Sequence, residues 1–288
     1  MITPSVSIVV PVYNAEETIE GCVASLVNQN YENVEDILII DNGSTDNTAE
    51  IADQYSTRVY EYTEVQGSYA ARNFGLQQVE SELVAFTDAD CVPSEDWLSE
   101  LVACYASTDA DLVGGNVQFQ FERRSAAELY DASTSMNNGR LIEERGCSVT
   151  ANLLVRRAVF DEIGPFPQQL VSGGDTAWTG RATENGYHLK YCPDAVVNHP
   201  TRSLRESLRK HRRLGYGEGQ RLHGTSRSHQ AKRLLISLLP RPISYIKTDL
   251  EHNDLQYTPP LIAKLFMISW IGRLIQGYGK VEGLREEN

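Results

Sequence analysis

The chain has 288 residues, 41% of them hydrophobic, enough to bury the core of one large domain or of a domain with an appendage. Five cysteines (Cys22, Cys91, Cys104, Cys147 and Cys192) are widely spaced and form no Cys-x-x-Cys pair, which argues against a disulfide frame or a zinc site and for reduced thiols. The net charge of -13 is unevenly spread: residues 1–200 carry 31 acidic and 10 basic groups, residues 201–288 carry 8 and 16. The acidic body excludes nucleic acid as a partner, whereas the basic tail invites an anionic one.

Only six basic residues are lysines and none precedes Lys190, a composition that fits a high-salt cytoplasm. The run from Leu261 to Gly272 is broken by Lys264 and too short to span a bilayer. The N-terminus has no basic region followed by a long apolar one. A cytoplasmic chain is expected, peripheral on the inner face of the membrane if it meets one.

In chain order, Val6 to Pro11 is an apolar, β-branched first strand. Asn14 is expected to cap a helix with Glu16 and Glu17 in its first turn. Asp36 to Ile40 is a second buried strand, stopped by Asp41-Asn42-Gly43-Ser44-Thr45-Asp46, and Thr57 to Tyr62 a third. Gly67-Ser68 opens a helix through Val79. Leu83 to Thr87 is a fourth strand, with Asp88-Ala89-Asp90 beyond it, Pro93 closing its ladder and a helix from Glu95. Leu112 to Phe121 and Val149 to Val155 read as strands, Arg156 to Ile163 and Asp175 to Asn185 as helices. The polar stretch Ser125 to Gly146 has no clear period. Leu189 to Tyr191 and Ala195 to Val197 are brief strands before Asn198-His199-Pro200.

Strands alternating with short helices imply a doubly covered, mostly parallel α/β sheet over residues 1–200. Beyond 200 the chain reads as a separate helical, basic region. Ser203 to Leu214 is a basic helix broken by Gly215-Tyr216-Gly217-Glu218-Gly219. Arg233 to Ile246 and Pro260 to Tyr278 are apolar-basic helices that either lie in a membrane interface or pack on the body.

In an open α/β sheet, ligands bind beyond the carboxyl ends of the strands. Asp88 and Asp90 stand there, and paired carboxylates on a stiff strand exit suit a hard divalent cation bridged to phosphates. A second triplet, Asp109-Ala110-Asp111, precedes its strand and reads as a solvated turn. Asp41 can accept from a base imide or a ribose hydroxyl, with Asp46 or Thr48 capping the next helix. Arg72, one turn into the helix opened by Gly67, offers a fork for phosphate. Asp175 after Gly173-Gly174 is either a helix cap or the separate carboxylate that a transfer to a hydroxyl needs. His199 either ligates the cation or touches phosphate, or is an ordinary structural histidine.

Val6-Ser7-Ile8-Val9-Val10-Pro11-Val12-Tyr13-Asn14, Asp41 to Asp46, Ala71-Arg72-Asn73, Asp88-Ala89-Asp90 and Gly174-Asp175, in that order, resemble the family 2 nucleotide-sugar glycosyltransferases of the GT-A fold. The likeness covers about residues 5–200. It implies an inverting, metal-dependent transfer, with Mg²⁺ or Mn²⁺, from a nucleotide-diphosphate sugar, UDP favoured. Pro11, Tyr13, Asn14, Asp41, Arg72, Asp88 and Ala89 would hold the donor, and Asp88, Asp90 and His199 the metal. Asp175 would be the base. Thr150, Asn152, Gly174 and Trp178 would lie on the acceptor side, although many relatives carry Glu where Gly174 stands. The Gln-x-x-Arg-Trp motif of processive synthases is absent, which implies a single addition. A lipid-linked or surface glycan is the acceptor expected, with residues 201–288 meeting an anionic membrane. A sugar nucleotidyltransferase and an inactive membrane scaffold of the same fold are the alternatives.

Overall fold

The computed structural model describes residues 3–253 and 255–285. Its chain divides into two compact units. One holds Met1–Gln118, Met136–Gln169 and Gly174–Pro200; the other holds Phe119–Ser135, Leu170–Gly173 and Thr201–Asn288.

The first elements are β1 (Val6–Val12), α1 (Ile19–Val27), β2 (Val34–Asp41), α2 (Thr48–Ala52), β3 (Arg58–Glu61), α3 (Ser68–Gln77), β4 (Leu83–Thr87), β5 (Val92–Pro93), α4 (Trp97–Ser107) and β6 (Leu112–Gln120). There follow α5 (Ala126–Thr134), α6 (Asn138–Arg145), β7 (Asn152–Arg156), α7 (Ala158–Ile163), α8 (Gly174–Glu184) and β8 (Leu189–Pro200). The strands form one sheet in the order β3-β2-β1-β4-β7-β6-β8-β5. The α/β class expected from the alternation is present, and its parallel part is β3-β2-β1-β4. β7 runs against both β4 and β6, and β5 against β8, so half of the sheet is an antiparallel extension.

Period-two alternation assigns each strand to two cores. Val6, Ile8, Val10, Ile37, Ile39, Leu83 and Ala85 pack with α1 and α4 on one face. Val9, Leu38, Ile40, Val84, Phe86, Leu153 and Val155 pack with Trp178 and Phe166 on the other. Both faces are thus dry, which explains the unbroken apolar strands and fixes their register. Because β1, β2 and β4 are parallel, their carboxyl ends share one rim.

Four local expectations change. Asn14 is no helix cap: α1 starts at Ile19, and Asn14 sits at φ 48°, a conformation that asparagine tolerates. Pro93 extends a short strand, allowed because β5 lies at the sheet edge. The two brief strands after 188 are one, β8. The uncertain polar stretch holds α5, started by a reciprocal capping box between Ser125 and Glu128, and α6.

The second unit combines α5 with α9 (Leu204–Arg221), α10 (Arg227–Leu238), α11 (Ile243–Glu251) and α12 (Pro259–Arg285). Leu129, Tyr130, Ile246, Leu250, Ile262 and Leu265 form its core. The glycines from 215 to 219 do not break α9. A Cβ on Gly215, Gly217 or Gly219 would come within 3.0 Å of backbone atoms of Gln276, Ser172 or Lys280, and one on Gly279 or Gly283 would do so against α9. These glycines let two backbones touch, and tertiary packing outweighs their low helix propensity. The helix expected over 233–246 is divided into α10 and α11, with Pro240 and Pro242 between them. Among the described residues no helix is long and apolar enough to cross a membrane.

Candidate active site

The site is assembled from the rim of the parallel strands. β1 and β2 run in register to Val12 and Asp41. Asp41 is buried, and its Oδ1 accepts from the Ser44 backbone N (3.0 Å) and hydroxyl (2.6 Å). Asn14 joins this loop to the end of β1: its N–H donates to Ser44 Oγ (2.9 Å), and its Oδ1 accepts from Thr45 N (2.8 Å). Asp46 accepts from Thr48 N (3.1 Å), the helix-start role expected for it. Asn42 donates to Tyr62 O (2.6 Å) and accepts from Gly67 N (2.6 Å), which anchors the start of α3 to the end of β2. Tyr13, 58% exposed, stands open beside this loop.

α3 then delivers Tyr69 and Arg72. Arg72 is 3% exposed and pairs through Nη2 with Asp88 Oδ1, while its Nε has no hydrogen-bond partner among the described residues. The guanidinium lies 5.8 Å from the centre of the Tyr69 ring. Tyr69 in turn donates from its hydroxyl to Asp175 Oδ1 (3.2 Å), which also accepts from Thr176 N (2.8 Å). Burial pushes the Asp175 carboxyl above its usual range, against the pull of the Thr176 N–H, Arg72 and Tyr69 and with the help of Asp88. A raised carboxylate beside a cleft is a proton acceptor of greater basicity than an exposed one.

Beyond β4, Asp90 Oδ2 lies 3.2 Å from His199 Nε2. His199 Nδ1 lies 2.5 Å from Pro200 O, so that nitrogen carries the proton and donates to the carbonyl. Nε2 is thereby turned toward the Asp90 carboxylate. Fixing one imidazole nitrogen on a backbone carbonyl is also how metal-binding histidines are oriented. Asp90, Cys91 and His199 bring one ligand atom each within 4.8 Å of one another. Burial, then Asp88 and Asp90, push the Cys91 thiol far up, so it stays protonated and the working donors are carboxylate and imidazole. A carboxylate beside an imidazole is a donor set that fits a divalent cation such as Mn²⁺ or Mg²⁺.

The expected residues therefore separate. Asp88, Arg72 and, through Tyr69, Asp175 form one set and Asp90 with His199 a second, the two meeting in sequence at Asp88-Ala89-Asp90, with Asp41, Asn14 and Tyr13 farther along the rim. Three expected acceptor-side residues are elsewhere. Trp178 is fully buried, stacks on Phe160 at 4.3 Å and donates to Gly164 O (2.7 Å); it is a core residue. Asn152 is fully buried, donates to Asn116 O and Ala195 O and accepts from Trp97, so its amide is spent holding strands together. Thr150 is 2% exposed and likewise closed to solvent. Gly174 does adjoin Asp175, and a Cβ there would meet Tyr69 ring carbons at 2.7 to 2.9 Å. The ring fills the space that a larger residue would need. Tyr69 itself was not singled out in the sequence; its signal is an aromatic three residues before Arg72, on the same helix face. Asp111 pairs with Arg156 at 2.6 Å and Asp109 with His188 at 2.7 Å, so the second acidic triplet ties strand ends together.

Solved structures of the same architecture include a mannosyltransferase, PcManGT, from Pyrobaculum calidifontis in complex with GDP-Man and Mn²⁺. It has a TM-score of 0.66 at 19% identity, over 100% of this chain and 89% of that one. S. aureus TarS 1-349 in complex with UDP-GlcNAc has a TM-score of 0.58 at 19% identity, over 96% and 90%. The mixed sheet flanked by helices is thus the GT-A fold of glycosyltransferases. Residues 7–164 match the model of Glycosyl transferase family 2. "Glycosyltransferase AglE" of Haloferax volcanii is 38% identical over 96% of this chain and 95% of its own length. The chain belongs to glycosyltransferase family 2 and is an enzyme of that class, which replaces the nucleotidyltransferase alternative.

Proposed function

We propose that the protein moves one sugar, with inversion, from a nucleotide-diphosphate sugar to a hydroxyl of a lipid-linked or surface glycan. The observation that carries this reading is that Arg72 pairs with Asp88, two residues before the Asp90 that faces His199, and lies beside Tyr69, whose hydroxyl donates to Asp175. Asp41 holds the nucleoside, flanked by Pro11, Tyr13 and Asn14. Asp88 and Ala89 line the donor. Asp90 and His199 would hold a divalent cation, Mg²⁺ or Mn²⁺, whose positive charge would be supplied beside the departing diphosphate. Arg72 adds a permanent positive charge beside the same group. The acceptor oxygen forms its bond to the anomeric carbon, the bond from that carbon to the diphosphate oxygen breaks, and the hydroxyl proton passes to Asp175.

A UDP-sugar is the donor to test first, with GDP-mannose as the competitor because relatives in fold bind each kind. The acceptor reading rests on the second unit, where Met267, Ile271, Leu274 and Tyr278 recur at i, i+4, i+7 and i+11 and are all exposed. An apolar stripe open to solvent on a unit rich in Arg and Lys suits the surface of an anionic membrane.

A thermal-shift screen of nucleotide sugars with and without Mn²⁺ selects the donor. With that donor, Asp175→Asn is expected to lower transfer by about a hundredfold or more while donor affinity stays within about twofold. Loss of donor binding on that substitution would remove Asp175 from the base role, and absence of any donor turnover across a wide acceptor panel would favour the inactive scaffold.

A further inference from the structure

The helical unit contains a cavity that the transfer reaction does not use. Its volume is about 240 Å³, below the usual size of a site for a drug-sized ligand, and Lys210, Arg241, Arg273 and His211 line it with a single carboxylate, Asp131. Asp131 is shared between Lys210 (3.3 Å) and Arg202 (3.5 Å), while Arg241 pairs at 2.7 Å with Asp249 behind the wall. Of the residues that line the cavity, three are cations, Lys210, Arg241 and Arg273, and one is a carboxylate, so the lining is electropositive. His211 adds no charge, since burial and the neighbouring Lys210 push it down to about 4. Burial and Arg202 likewise push the Lys210 ammonium down to about 8, against the pull of Asp131. Ser207, 2% exposed, lines the same space with a hydroxyl that has no partner among the described residues.

The cavity adjoins an apolar rim. Arg273 donates to Leu239 O (2.7 Å) and Ile236 O, and Trp270 Nε1 donates to Leu238 O (3.1 Å), so α12 holds the turn between α10 and α11 in place. That turn leaves Leu235 63%, Leu239 62%, Ile243 47% and Tyr245 54% exposed, with Arg241 in its middle. Cations recessed behind a ring of exposed aliphatic and aromatic groups match a molecule with a phosphate head on an apolar chain. Neither a free nucleotide nor an acidic peptide would use the apolar rim.

We propose that this cavity binds the phosphate head of an anionic lipid, with the α10–α11 turn seated among the acyl chains. The inference deepens the membrane reading given above and names the group recognised. It is tested by co-sedimentation of the full chain, without donor or divalent cation, with vesicles of phosphatidylcholine alone and of phosphatidylcholine with phosphatidic acid. Partitioning is expected to rise with phosphatidic acid. Arg241→Gln should lower that rise about fivefold, the effect of about one cation at an anionic surface. Thr134→Glu, which puts a carboxylate at an exposed position lining the cavity, should do the same without disturbing the core. Lys232→Gln, an exposed cation outside the lining, should have the smaller effect, and Leu239→Asp should weaken binding to both vesicles. Equal losses for Lys232→Gln and the cavity variants would reduce the effect to general charge and overturn the proposal. So would undiminished binding by Thr134→Glu, or saturable binding of inorganic phosphate by a chain that ignores both vesicles. Because no donor is present, failure here leaves the transferase reading untouched.

Discussion

Gly174 offers the sharpest test of how Asp175, the proposed base, is held. Its φ lies outside the left-handed region, so the backbone itself would accept alanine. The obstacle is Tyr69: a Cβ at 174 would sit 2.7 to 2.9 Å from three of its ring carbons. Ordinary carbon contacts lie near 3.5–4.0 Å, so the ring must retreat by about 0.8 Å. The 3.2 Å bond from the Tyr69 hydroxyl to Asp175 then opens to about 4 Å and ceases to be a hydrogen bond. Such displacement at a proton acceptor costs up to about a hundredfold in turnover. Gly174→Ala is therefore expected to lose between about ten- and a hundredfold in kcat, and the bulkier Gly174→Glu at least as much. Initial rates with a fixed donor measure this, and melting curves confirm that the variants fold. In the Tyr69→Ala background the obstacle is gone, so adding Gly174→Ala should change the rate by less than about twofold. Full activity of Gly174→Ala, or simple multiplication of the two losses, would refute the steric account.

Other outcomes follow from the same geometry. Tyr69→Phe removes a hydrogen bond that favours the charged form of Asp175, so its raised pKa should rise further; activity is lost as pH falls through that pKa, and the acidic limb of the kcat profile should move to higher pH. An unmoved limb would mean that Asp175 does not govern it. On the proposed cation site, Asp90→Ala should remove any Mn²⁺ dependence of donor-nucleotide binding in titration calorimetry, since only His199 remains of the working donors; unchanged heats would place the cation elsewhere. Gly279→Ala drives a methyl into Arg212 O of α9 and should cost about 1–3 kcal/mol by overpacking, read as a lower Tm. A wild-type Tm would show that the two helices separate freely.

The parallel half of the fold was legible because β1, β2 and β4 are covered on both faces, and a continuous apolar run with a polar stop has few other meanings. The charged residues just past those stops were legible for the same reason: Asp41, Asp88 and Asp90 mark strand exits. What the sequence hid was set by partners distant along the chain. Asn152 and Trp178 resemble site residues in isolation, and only the strands around Asn152 and the rings around Trp178 show them to be packing groups. Tyr69 was concealed because its role depends on a glycine 105 positions later, as its 3.2 Å bond lies to the residue after that. The end of α9 was misread because local propensity says that glycine stops a helix, while the neighbour that rewards glycine there lies some sixty residues on.

The glycine seam between α9 and α12 also reverses the usual rule for which positions can change. In most helix pairs the contact is made by bulky side chains, and a population of variants can exchange one shape for another while the axes adjust. Here the closest approach is main chain to main chain, which every sequence shares, so side chains of both helices can exchange wherever they neither line the cavity nor pair across the seam. The glycines cannot. A saturation scan of this unit would therefore find its least forgiving sites among residues that have no side chain at all.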